Sequence, residues 1–304
     1  DRRHGDRDVS ANFQDGQRGV MVELLQASPL VWMGAVGLLG LAVGSFLNVL
    51  IHRLPIMMQA EWAAQCAELN GTSLPPTPRY NLLTPRSACP QCQHPIAASE
   101  NIPVLSWLML GAKCAACKTR ISARYPLIEM LTAVLSAAVA WKFGGSWQTL
   151  GGLIFVWTLI ALAFIDLDTT LLPDSLTLPL VWIGLLFNLG AHFASLADAV
   201  LGAAAGYMIL WSIYWLFKLV TGKEGMGFGD FKLLAAIGAW LGWELLPVTI
   251  LLSSVVGAAV GIAMIGLVKH DRRVPIPFGP YLAGGGLVAL FFGSDLTQLY
   301  LRQF

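Results

Sequence analysis

The chain has 304 residues, 56% hydrophobic and only 12% charged, with a formal net charge of +1 and a mean hydropathy of +0.65. A soluble domain carries about 25% charged residues, so this composition excludes an ordinary soluble fold and implies a multi-span membrane protein. The near-zero net charge also argues against a nucleic-acid partner.

Residues 1–20 are polar, carry Arg2, Arg3, Arg7 and Arg18, and lack the apolar core and cleavage site of a signal peptide. Met21-Val22-Glu23-Leu24-Leu25 reads as a natural start, so 1–20 is expected to be an extension without function. From there a window of roughly 19 residues marks eight apolar spans. They lie near 30–51, 125–141, 148–165, 175–190, 197–217, 229–243, 246–267 and 281–294. The fourth and sixth fall short of the ~20 residues needed to cross a bilayer upright, which predicts tilted, broken or locally thinned geometry. The expected fold is therefore an all-α polytopic membrane protein of about eight helices. A first span over 21–51 leads into a polar insert over 52–124. A seven-span bundle over 125–295 follows, then a short tail over 296–304.

The insert is too polar for lipid and is expected to form a small domain. Cationic side chains orient it. Arg53, Arg79, Arg86, Lys113, Lys118, Arg120, Arg124, Lys218, Lys223, Lys269, Arg272 and Arg273 fall on the insert side of the spans, against only Lys142 and Arg302 opposite. The positive-inside rule then puts the insert in the cytoplasm and both termini in the periplasm.

Four of the five cysteines in the chain lie in the insert as Cys89-Pro90-Gln91-Cys92 and Cys114-Ala115-Ala116-Cys117. Each C-x-x-C presents two thiolates from one turn, and two such turns complete a tetrahedral S4 shell. The competing reading, a pair of disulfides, is disfavoured in a reducing cytoplasm. The pattern predicts one structural zinc per chain, held by Cys89, Cys92, Cys114 and Cys117, with Cys66 a free thiol.

Two acidic motifs remain. Asp166 lies in Phe164-Ile165-Asp166-Leu167-Asp168, and Asp230 closes Gly227-Phe228-Gly229-Asp230. Carboxylates at or near membrane depth cost several kcal/mol unless paired, hydrated or protonated, and so tend to be functional. Both fall at cytoplasmic ends of spans, where they could meet as an acid/base pair sharing a proton. Asp168 and Asp174 compete with Asp166 for that role, Asp174 also reading as an N-cap of the fourth span. Gly227 and Gly229 either let a substrate backbone approach or pack helices. Glu129 reads as a partner for Arg124 or Lys232.

Taken in order, these motifs resemble those of the bacterial type IV prepilin peptidases, bifunctional leader peptidase/N-methyltransferases of the GxGD aspartic protease class. The resemblance covers about 30–295. It rests on Gly44-Ser45-Phe46-Leu47-Asn48-Val49, Arg53-Leu54-Pro55, the double C-x-x-C with Glu100-Asn101-Ile102-Pro103, and Arg124-Tyr125-Pro126-Leu127-Ile128-Glu129. It continues through Ile165-Asp166 to Leu172-Pro173-Asp174, Gly225-Met226-Gly227-Phe228-Gly229-Asp230 and Pro275-Ile276-Pro277-Phe278-Gly279-Pro280.

The resemblance implies an enzyme of the inner membrane with two activities. The first cleaves the basic leader from prepilins and type II secretion pseudopilins. The second methylates the new N-terminus, usually phenylalanine, from S-adenosylmethionine. It assigns catalysis to Asp166, the first aspartate of its segment, and Asp230. No glycine-rich strand-turn-helix is present, so a Rossmann-type donor site is not expected. Asn48, His52 and Arg53 could serve the donor, but snorkelling and capping explain them equally.

Overall fold

The computed structural model describes residues 28–72, 79–267 and 276–301. The expectations for residues 1–20, for Lys269, Arg272 and Arg273, and for the last three residues lie outside that range. Among the described residues, regular structure is helical apart from two isolated bridges in the insert. Among those residues nine α-helices run in chain order: α1 (Pro29–Leu69), α2 (Leu105–Met109), α3 (Arg124–Phe143), α4 (Trp147–Thr169), α5 (Asp174–Phe187), α6 (Leu196–Thr221), α7 (Phe228–Leu241), α8 (Leu246–Leu267) and α9 (Gly279–Leu301). All except α2 correspond to the eight expected spans. Five of them are long and apolar enough to cross a membrane.

The first span departs most from expectation. Helix α1 does not stop near residue 51 but runs on to Leu69, 41 residues in all and roughly 60 Å at 1.5 Å per residue. That is about twice the hydrocarbon thickness of a bilayer. The polar residues after Ile51 end the hydropathy of the span, not its helicity. Met57-Met58-Gln59-Ala60-Glu61 and Ala63-Ala64-Gln65 are strong helix formers, and the helix carries Pro55 in its interior. The insert thus hangs from a helical stalk.

Helices α1 and α3 pack closely because α1 offers small residues to its partner. A Cβ on Gly40 would stand 2.6 Å from Ser136 Oγ, and one on Gly44 would stand 2.7 Å from the Glu129 Cα. Such small-residue stripes drive association where lipid competes equally for apolar side chains. Helix α3 leads into α4, whose apolar core of Phe155, Val156, Leu159, Leu162 and Ile165 is fully buried.

The short α7 is the heart of the bundle. Eleven of its fourteen residues are buried, because α5, α6 and α9 pack around it. A helix about 21 Å long need not span lipid when its neighbours enclose it, which resolves the shortness of the sixth span. Helix α5 is equally short and is prolonged by a 3-10 turn over Asn188–Gly190. There the buried Asn188 amide donates to the carbonyls of Ala239 and Trp240 and accepts from the amides of Phe193 and Ala194. One side chain so ties the ends of α5 and α7 to the loop before α6. Helix α9 packs against both α4 and α7, which brings its first residue, Gly279, to the two acidic motifs.

Candidate active site

Asp166 sits in the last turn of α4, which closes with Thr170 in the left-handed region at φ 54°. Its side chain is 4% exposed. One carboxylate oxygen, Oδ2, accepts a hydrogen bond of 2.9 Å from the backbone amide of Gly279. That amide belongs to the first turn of α9, where four N–H groups have no partner within the helix and the dipole favours negative charge. Asp230 occupies the first turn of α7 and is 6% exposed. Its Oδ1 is enclosed and has no hydrogen-bond partner among the described residues.

Both carboxylates line one cavity of about 260 Å³, with Thr170, Leu172, Glu224, Met226, Ile276 and Phe278 among its walls. The arrangement has one oxygen fixed by an amide and another left bare. It suits a pair that holds a single proton and addresses a third group placed between them.

The two motif glycines do different work. A Cβ on Gly229 would stand 2.6 Å from Leu172 Cβ, so this position packs the loop after α4 against α7. A Cβ on Gly227 would meet only Asp230 Oδ2, at 3.8 Å, so this position stays open beside the cavity. Glu224, at the cavity edge, is held below the usual carboxylate range by its hydrogen bond from Lys218.

The competing carboxylates are engaged elsewhere. Arg124 grips Asp168 through two hydrogen bonds of 2.6 and 2.7 Å and lies over the ring of Phe164. Because Arg124 directly follows the insert, this pair sets the Asp166 end of α4 on the insert side of the bundle. Asp174 is the first residue of α5, not its N-cap, since Pro173 precedes the helix. Its oxygens accept from Lys232 Nζ at 2.6 and 2.7 Å. Glu129 pairs with neither Arg124 nor Lys232, both already occupied, and accepts instead from the amide of Val104 at 2.7 Å. Arg53 donates to the carbonyls of Asn81 and Pro85 and lies over the Tyr80 ring, so it staples the insert to the α1 stalk. Asn48 donates to the Tyr125 carbonyl. Gly279 is the residue to which sequence reasoning gave no role. Its signal was its place in the Pro275–Pro280 motif at a span entrance.

The four insert cysteines come together, their sulfurs all within 4.8 Å of one another. Cys89 Sγ lies 3.7 Å from Cys117 Sγ, and Cys92 Sγ lies 3.9 Å from Cys114 Sγ. Four thiolates about 2.3 Å from a zinc ion stand about 3.8 Å apart, so the cage fits that metal. A disulfide needs a sulfur separation near 2.05 Å and does not fit. The two turns repeat one hydrogen-bond pattern. The Cys89 and Cys114 amides donate to the carbonyls of His94 and Thr119, while the Cys89 and Cys114 carbonyls accept from Gln93 and Lys118. The Cys117 thiol donates to the Thr119 hydroxyl oxygen, 3.3 Å away.

Comparison with known proteins agrees with this geometry. Residues 38–143 match the bacterial peptidase A24 N-terminal domain, and residues 153–262 match the type IV leader peptidase family. A prepilin leader peptidase/N-methyltransferase of Aeromonas hydrophila is 57% identical over 290 residues, covering 94% of this chain and 99% of its own. The chain belongs to the type IV leader peptidase family. Proteins of the same name from Stutzerimonas stutzeri and Pseudomonas aeruginosa are 57% and 54% identical, covering 92% and 93% of this chain and 98% of their own. No solved structure matches the chain. The family's N-terminal domain takes in most of α1, the cysteine cage and α3, while its peptidase domain spans α4 to most of α8 and contains both cavity aspartates.

Proposed function

We propose that this protein cleaves the leader from prepilins and pseudopilins at the Asp166–Asp230 cavity and then methylates the exposed α-amino group. The observation that carries the peptidase reading is the pair of enclosed carboxylates on one cavity, one of them anchored by Gly279. The carboxylate in its ionised form takes a proton from water as the water oxygen bonds to the scissile carbonyl carbon. The other carboxyl, protonated, donates to the carbonyl oxygen. Collapse of the tetrahedral intermediate breaks the C–N bond: the departing amine receives the proton first taken from water, and one hydroxyl of the intermediate returns its proton to the second carboxylate. No bond to the enzyme forms. Gly227, without a side chain, leaves room for an extended substrate backbone beside Asp230.

Topology supports the same assignment. The cationic excess on the insert side argues for an insert in the cytoplasm and termini in the periplasm, in a cytoplasmic (inner) membrane. The scissile bond would then lie at the cytoplasmic membrane face, between a cytoplasmic leader and a membrane-embedded pilin helix. The cysteine cage supports one structural zinc per chain, for its shell of four thiolates has no open position for substrate. Purified protein in lipid vesicles, given a prepilin and S-adenosylmethionine, should release the leader and add one methyl group to the new N-terminus. Release without methylation would confine the activity to the peptidase.

Two outcomes follow from the layout. Gly279→Ala would bring a Cβ to 2.6 Å from Asp166 Oδ2 and force the carboxylate aside. Because displacement of about 1 Å at a reacting group can cost ~100-fold, a loss of this order in cleavage kcat is expected. Gly284→Ala, in the same helix and with nothing within 4 Å of its Cβ, should leave cleavage unchanged. A dyad-inactive Asp230→Asn protein should still bind S-adenosylmethionine and methylate an already cleaved pilin. Calorimetric titration showing loss of donor binding, with fold and zinc intact, would mean that the two activities share one site.

A further inference from the structure

Helix α2 in the insert is short but carries its apolar residues on one outer face. Leu105, Leu108 and Met109 stand at i, i+3 and i+4 and so share a side. They are 51%, 61% and 77% exposed, with Ile102 beside them at 45%. The opposite side docks into the insert, where Trp107 Nε1 donates to the Ile121 carbonyl and the Trp107 carbonyl accepts from Ala112.

The height of this face is fixed by one contact. Val104, immediately before α2, donates its amide to Glu129 Oε2 at 2.7 Å, and Glu129 is five residues into α3. That places Val104 roughly 7.5 Å along α3 from Arg124. At the same level α3 exposes Tyr125, Leu127, Met130 and Leu131, side chains that a membrane helix turns to lipid. Val104 makes the contact at φ 59°, a costly conformation for a β-branched residue. The backbone is therefore held against its own preference to keep α2 at this depth. The segment from Asn101 to Ala123 is cationic, flanked by Glu100 and by the Glu129 that holds Val104. From Asn101 to Ala123 there is no aspartate or glutamate, while Lys113, Lys118 and Arg120 are exposed.

We infer that Ile102 and α2 form an interfacial anchor that lays the zinc insert onto an anionic phospholipid surface. The apolar face enters the boundary between headgroups and acyl chains, a depth of about 5–10 Å for such elements. The three cations face the headgroups. The level shared with the exposed apolar residues of α3 and the positive charge of the 101–123 segment select a bilayer over a protein partner. The anchor fixes the cysteine cage at the membrane surface, level with the insert-side end of the bundle where Asp166 lies.

The test uses the full chain in nanodiscs of phosphatidylethanolamine and phosphatidylglycerol, doped with a phospholipid bearing a diazirine on its acyl chain. After irradiation, mass spectrometry should find lipid adducts within 102–109 as well as within 127–134. A Leu108→Asn/Met109→Asn variant should lose most adducts in the first segment and keep those in the second, which also reports that the bundle is intact. Labelling of 127–134 with none at 102–109 in the unaltered protein would overturn the proposal and leave this face to a protein partner. Labelling at 102–109 that the double variant does not reduce would overturn it as well.

Discussion

Asp166→Asn and Asp230→Asn are each expected to reduce prepilin cleavage by about 10²–10⁴-fold or more, the range that positioned acid–base groups contribute. The two substitutions fail for different reasons. At Asp166 the amide of Gly279 points at Oδ2, so an asparagine placed there either turns its own N–H₂ group against that donor or leaves an oxygen that cannot take a proton from water. At Asp230 the unpartnered Oδ1 is replaced by a group that cannot share a proton with its neighbour. The double variant should be little worse than either single one, since the pair acts as a unit. Asp168→Asn is the matched control. It breaks the exposed pair with Arg124, and such pairs are worth about 1 kcal/mol or less, so cleavage within about fivefold of the unaltered enzyme is expected. The readout is leader release in vesicles with each protein verified as folded and inserted. Two active single mutants would rule out the aspartyl mechanism.

That prediction draws on what was legible in the sequence and on what was not. The eight apolar spans stood out because hydropathy reports lipid contact directly. Asp166 and Asp230 stood out because acids are rare near membrane depth. The C-x-x-C pairs carry their geometry in their spacing, so the cage could be read before any coordinates. What hydropathy could not show was the extent of α1, because a helix leaving the membrane changes its solvent but not its backbone. Nor could it show the partners of Asp168, Asp174 and Glu129. Those depend on which helix ends converge, and the pairs Arg124–Asp168 and Lys232–Asp174 join residues 44 and 58 positions apart. Gly279 was hidden for the same reason. Its contribution is a backbone amide, which no residue type announces. Gly227 and Gly229 looked alike in sequence and differ only because Leu172 fills the space beside one of them.

Replacing Cys89, Cys92, Cys114 or Cys117 with serine is expected to unfold the insert while sparing the bundle. Within the insert the described structure is slight: a five-residue helix, a 3-10 turn and two isolated bridges, Ala88 with Pro95 and Lys113 with Arg120. Of the insert cysteines only Cys89 and Cys114 are buried, so little apolar core is available there. A zinc held in this cage would supply folding free energy to so small a domain, about 10–16 kcal/mol in zinc-finger peptides. Three thiolates cannot close the tetrahedron, so one serine should remove most of that. By contrast, the core of α4 and α7 shares no residue with the cage and should keep its resistance to denaturation. Elemental analysis should find one zinc per chain in the unaltered protein and a loss of zinc in each variant. Limited proteolysis should then cut the variants within 79–123 well before any cut appears in α3 to α9. Stoichiometric zinc-free protein, prepared without chelator and as resistant in this segment as the zinc-loaded form, would show that the four sulfurs meet for another reason.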